Sequence, residues 1–278
     1  MKANAIARII IWSLVLILCL GALLTLLGRE RGETPAATME AVTEPLLDIT
    51  EVGYVEKLSI VWPSGSILLE PGDVHNVLIR ESPVTDPKYA MVCTQDGDTL
   101  TIRYQNSGVP LSIGGSLKKD LTITVPRDWT GNRLKVDMSS ADLTLREVSI
   151  DRVEVDSASG TTTAENCVIE ELELDTASGA LQYTGRLGKL DVDGASANVT
   201  ARLLNVPESV ELETASGSME LYLPGDAGFT AKLDTMSGNF LSDFETTQEG
   251  KRYTCGDGSC KIDADTMSGN LEIRKNEA

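Results

Sequence analysis

The stretch LELDTASGALQY, residues 172–183, decides the fold, because its outline returns along the C-terminal half of the chain. Aligned on the serine, the copies read LKVDMSSADLTL from Leu134, VEVDSASGTTTA from Val153, LDVDGASANVTA from Leu190 and VELETASGSMEL from Val210. AKLDTMSGNFLS from Ala231 and IDADTMSGNLEI from Ile262 complete the set. The key serines are Ser140, Ser159, Ser178, Ser196, Ser216, Ser237 and Ser268; their spacing is 18 to 21 residues until a last step of 31. A period near 20 residues with one fixed turn and no room for a helix is the mark of a stacked solenoid.

Within each copy the positions six and four before the serine are apolar, as in Leu172 and Leu174 or Val210 and Leu212, and charged residues alternate with them. That is period two, a strand with one buried face. Beyond the corner the alternation resumes in Leu143 and Leu145, Met219 and Leu221, Leu271 and Ile273. Each copy therefore predicts two short strands joined at a corner. Most corners carry glycine (Ser159-Gly160, Ser178-Gly179, Ser216-Gly217, Ser237-Gly238, Ser268-Gly269), which permits a bend that a side chain would obstruct. Two such strands cannot bury a core alone, but copies stacked at roughly 4.8 Å can. The expected class is all-β: a parallel β-solenoid of seven to eight rungs, with an N-terminal β-hairpin cap and one preceding transmembrane helix.

The N-terminal segments differ in composition. Lys2 and Arg8 precede nineteen uncharged residues, Ile9–Leu27, and Arg29 closes the run. As a helix this run is about 28 Å long, near the thickness of a bilayer core. A cleaved signal peptide is the alternative, but no small-x-small site follows the run, so residues 1–28 are expected to be a cytoplasmic tip and uncleaved anchor. Positive charges flank both ends almost equally, and the acidic remainder favours a single-pass cell-membrane protein with its domain outside the cytoplasm. Residues 29–50 read as a juxtamembrane linker, 51–130 as an N-terminal β region with a degenerate first rung at LSIVWPSGSILL, and 131–278 as the repeats. NVLIRES, YAMVCT, TLTIRYQ and LTITVP read as hairpins and longer strands covering one end of the stack. Trp62 and Trp129 read as core or cap residues.

Acids outnumber bases 42 to 24, for a formal charge of −18. Such a chain repels nucleic acid and suits cations, cationic peptides or plain solubility. Three residues before each serine stand Asp137, Asp156, Asp175, Asp193, Glu213, Asp234 and Asp265. Five before stand Lys135, Glu154, Glu173, Asp191, Glu211, Lys232 and Asp263. On stacked strands both lines share one outward face, with twelve carboxylates and two lysines. Neighbours about 5 Å apart repel by roughly 1 kcal/mol or less in water, so the fold must offset them. One reading makes the nearer column an acceptor for corner hydroxyl and N–H groups. Another makes the face a strip that gathers cations or cationic peptides, and a third leaves it simply solvated. Protonation relaxes the repulsion, so acid is expected to spare the fold.

No unique carboxylate pair, activated serine or metal-ligand set emerges; His75 is the single histidine. The chain is expected to be no enzyme and to carry no cofactor and no defined metal site. Cys255 and Cys260 flank a turn at Gly256-Asp257-Gly258-Ser259, where a hairpin would place them face to face, as a disulfide or a reduced pair.

The recurring D-x-x-SG-x-hydrophobic units, the N-terminal anchor and the Gly-x-Gly turn before SGNLEI resemble the bacterial putative-adhesin family of domains of unknown function. The likeness covers roughly residues 50–275. It implies a β-solenoid, and some members resemble surface proteins tied to envelope stress and resistance to antimicrobial peptides. No catalytic residues carry over. Two functions are expected on these grounds: a surface binding or adhesin-like module for an envelope polymer, host ligand, cation or cationic peptide, or an accessory or sensor protein of a cell-envelope stress response.

Overall fold

The computed structural model describes residues 46–84, 86–105 and 118–276. The anchor expected at residues 9–27 and most of the linker lie outside these residues. Among the described residues no helix is long and apolar enough to cross a membrane. LLDIT, read above as the end of the linker, instead opens a strand, Leu46–Val52, paired antiparallel with Val77–Val84.

The repeats stack as expected. Thr130–Met138 and Ser140–Arg146 form the two walls of one rung, and Ser149–Leu203 carries the next three in an almost unbroken run of strand. The register is serine over serine and acid over acid: Asp156 pairs with Asp137, Asp193 with Glu213, and Ser196 with Ser216. Inward residues of both walls belong to one apolar core. Leu174, Val192 and Leu212 are all buried in it, and Val192 pairs directly with Leu212. Period-two alternation and a fixed period thus suffice to align seven copies.

Corner glycines answer to a backbone neighbour. At Gly160 φ is +118°, and a Cβ there would lie 2.1 Å from the Ala141 carbonyl oxygen of the previous rung. Gly217 meets Ala197 O at 1.8 Å in the same way. No real Cβ tolerates either approach, so these corners need glycine for space as well as for φ.

The order of rungs departs from the order of sequence at both ends. The last copy, Cys260–Ser268 with Leu271–Lys275, lies between the Ser216 and Ser237 rungs, since Ser268 pairs with both Ser216 and Ser237. At the other end TLTIRYQ and LTITVP are rung strands, not hairpin cover. Leu100 pairs in parallel with Leu58, and Leu121 with Ile67, so this pair forms a rung outside the first one. Nine rungs result among the described residues. The cap is antiparallel: Val92–Asp96 on Thr99–Arg103, and Val77–Val84 on Lys119–Pro126. Such strands turn the end of a parallel stack away from edge pairing.

The same insertion corrects the cysteine expectation. Phe229 pairs with Cys255 on one side and with Cys260 on the other, so a whole strand separates them. Two strand spacings are about 9.6 Å, beyond the Cα separation a disulfide spans. Both cysteines are free thiols, and burial pushes Cys260 up to about 12. Trp62 is buried, donates from Nε1 to Lys119 O at 2.9 Å and meets Tyr104 edge-on. Trp129 is a half-buried cap residue that donates to Val55 O at 2.7 Å.

Candidate binding face

The two acidic columns run side by side along the outer face of one wall. Spatially, the column three before the serine reads Asp137, Asp156, Asp175, Asp193, Glu213, Asp265, Asp234, with the last two exchanged relative to sequence. Its neighbour reads Lys135, Glu154, Glu173, Asp191, Glu211, Asp263, Lys232. Cations close both ends. Lys135 reaches Asp156 at 3.2 Å and Asp137 at 3.9 Å, and Lys251 reaches Asp234 at 2.5 Å.

A third column was legible and missed. Seven residues before the serine stand Arg133, Arg152, Glu171, Lys189, Ser209, Lys261 and, outermost, Thr230, all on the same face. Four cations in seven positions line the outer flank of the acids. Arg152 alone binds Glu154 at 2.5 Å, Glu171 at 2.5 Å and Glu173 at 2.8 Å, and Arg133 adds a bond to Glu154 at 2.6 Å. Partial burial raises Glu154, but the two guanidinium groups outweigh it and hold the carboxyl below its ordinary value. Beside this column Gly188 stands where Glu170 and Glu208 stand in neighbouring rungs. A shallow depression of about 360 Å³ opens there, lined also by Arg152 and Lys189.

The middle of the strip behaves differently. Burial, then the carboxylates of Asp156, Glu173 and Asp191, raise Asp175 to about 6. Burial, then Asp193, Glu211 and Glu173, raise Asp191 to about 6. Asp191 is exposed and Asp175 only half-exposed, so Asp175 reports better on enclosure in the wall. Asp137 is raised too, by burial and Asp156, with Lys135 opposing. An acid whose folded value exceeds its unfolded one keeps its proton longer in the native state. The native state is therefore favoured on acidification through that window and loses this advantage as pH rises through about 6.

The other side of the serine fastens the corners as well. Two residues after it, Asp142 Oδ1 accepts from Thr161 N at 2.8 Å, Asn198 Oδ1 from Ser218 N at 3.1 Å and Asn270 Oδ1 from Asn239 N at 3.0 Å. Each links a rung to the next. Buried hydroxyls add to this, Ser157 donating to Thr176 at 3.0 Å. Among the described residues no group of three or more His, Cys, Asp or Glu is placed to hold a metal ion.

A second polar feature lies under the N-terminal cap. Lys119 and Glu81 are fully buried and paired at 2.7 Å. Their positions carried a readable signal: Lys119 shares strand parity with Leu121, Ile123 and Val125, and Glu81 with Val77 and Ile79. A charge in phase with a buried row is a charge in the core.

The geometry is that of one regular stack with end caps, and the family model described as Toastrack DUF4097 matches residues 55–274. The chain belongs to the Toastrack DUF4097 family. No curated protein matches it. Among solved structures, this Toastrack domain is similar to a putative cell adhesion protein from Clostridium sporogenes, at 14% identity over 84% of this chain and 100% of that one, with a TM-score of 0.38. A putative lipid binding protein from Parabacteroides distasonis shares 14% identity over 85% and 98%, with a TM-score of 0.42. A putative adhesin from Bacteroides fragilis shares 11% over 88% and 100%, with a TM-score of 0.37.

Proposed function

We propose that this Toastrack protein is a non-catalytic surface-binding module, held at the cell membrane by residues 9–27 with its β domain outside the cytoplasm. Its acidic wall receives a cationic partner, such as a basic peptide or the amino groups of an envelope polymer. The observation that carries this reading is the in-register line Asp175, Asp193, Glu213, Asp265, whose outward neighbours on the corner side are the uncharged Ala177, Ala195, Ala215 and Met267 instead of cations. Carboxylates stacked at strand spacing leave repulsion that a mobile polycation relieves. The bordering Arg152 and Lys189 set the register, since a bound polycation is steered away from that flank.

The test is capture of a lysine-rich peptide by the full chain in detergent micelles, at two salt concentrations. The variant carrying Asp156→Asn, Asp175→Asn and Glu213→Gln is expected to bind roughly tenfold or more weakly, with the difference shrinking at high salt. Equal capture by both proteins removes the wall from the function.

A further inference from the structure

We propose that the C-terminal end of the stack is a self-association surface, on which a second copy of this chain docks edge to edge. The two ends of the stack are finished differently. At the N-terminal end antiparallel strands cover both walls. At the C-terminal end the hairpin Thr247–Glu249 and Arg252–Cys255 covers only Phe229 to Lys232. Among the described residues no strand pairs with the outer side from Leu233 to Ser242. Ser237 O and Asn239 O point inward, accepting from Gly269 N and Leu271 N, both at 3.1 Å. On the second wall the alternate peptide group, that of Phe240, therefore faces outward.

Side chains single out the same edge. The residue before the serine is Ser or Ala in the five inner copies of the repeat, but Met236 and Met267 in the two outermost, where the register sets them side by side. Met236 is 79% exposed, and Leu241 on the same rung is 42% exposed. An open strand edge bearing apolar side chains is a template for another strand.

The bend in the edge selects the occupant. It turns at Ser237-Gly238, so a straight peptide can extend only one wall, whereas a second copy brings the same corner and can extend both. A two-fold axis through the corner lays Leu233–Ser237 of one copy antiparallel to Gly238–Ser242 of the other. The pairing stops at Leu233, because from Lys232 back to Phe229 each copy's own hairpin covers the edge. The chain bends at Asp243, and Phe244 turns inward onto Phe229 with ring centroids 5.4 Å apart, so it leaves the plane before it reaches the hairpin. Pairing in this way joins two acidic walls into one assembly.

The experiment uses the full chain in detergent micelles. Light scattering is expected to give particles of two chains, and Ser237→Cys to cross-link under mild oxidation, whereas Ser159→Cys and the unaltered chain do not. Met236→Asp with Leu241→Lys should weaken self-association roughly 30-fold or more, leaving the far-ultraviolet circular dichroism unchanged. Single-chain particles for the unaltered protein overturn the proposal. So do equal cross-linking at positions 237 and 159, or two-chain particles that persist in the double variant.

Discussion

Glu81→Ala is expected to destabilise the domain by about 3–5 kcal/mol, a large share of what holds a domain together. Glu81 Oε1 accepts from Lys119 Nζ at 2.7 Å, and Oε2 accepts from Met91 N at 2.6 Å. The same ammonium donates to Tyr89 O at 2.6 Å and to Gln105 O at 2.9 Å, so all three of its protons are used. Removing the carboxylate leaves a buried cation with two carbonyls and no counter-charge. The cost comes from desolvation that is no longer offset, so it should largely vanish when both partners go. Lys119→Met with Glu81→Leu is expected to recover most of the loss, because an apolar pair of similar volume needs no counter-charge. Urea denaturation of the single and double variants reads both numbers. A loss under about 1 kcal/mol for Glu81→Ala would mean that water reaches the pair.

The second large effect is at a corner. Gly160→Val should cost about 3 kcal/mol or more, from a left-handed φ of +118° and a Cβ driven to 2.1 Å from the Ala141 carbonyl. That carbonyl is backbone of a strand paired to the rung beneath it, so it cannot swing aside without shifting that strand. Gly225 is the control: nothing lies within 4 Å of a Cβ built there, and Gly225→Ala should stay within about 0.5 kcal/mol. Thermal unfolding of the two variants separates a glycine required by stacking from one that merely occupies a turn. Similar melting temperatures would deny that the rungs press together at the corner.

Much of the fold was legible because one phrase repeats. Leu172, Leu174 and their counterparts state which face is inward, and the fixed offset from the serine states which residues will lie over one another. The order of rungs at the two ends was not legible. Every copy presents the same outline, so the Ile262 copy fits beside the Val210 copy as well as the Ala231 copy does, and the choice falls to the loop and hairpin between Phe244 and Cys260. The cysteine pairing failed for this reason, since it assumed that sequence neighbours across a turn are strand neighbours. Of the face itself, the acidic columns stood out, while the flanking basic one, legible at its fixed offset, was missed because Glu171, Ser209 and Thr230 interrupt its charge. The raised values at Asp175 and Asp191 needed three dimensions. They depend on depth in the wall and on carboxylates from the rungs on either side, which no offset along the chain supplies.

The most direct test of the stacked wall is a carboxyl-carbon NMR titration of the aspartates, with Asp175→Asn and Asp191→Asn to assign the signals. Each of the two residues is expected to titrate near 6, and the melting temperature is expected to hold or rise as pH falls from 7 to 5. Titration of both at the ordinary aspartate value of 3.8, with a melting temperature that falls over the same interval, would contradict the account.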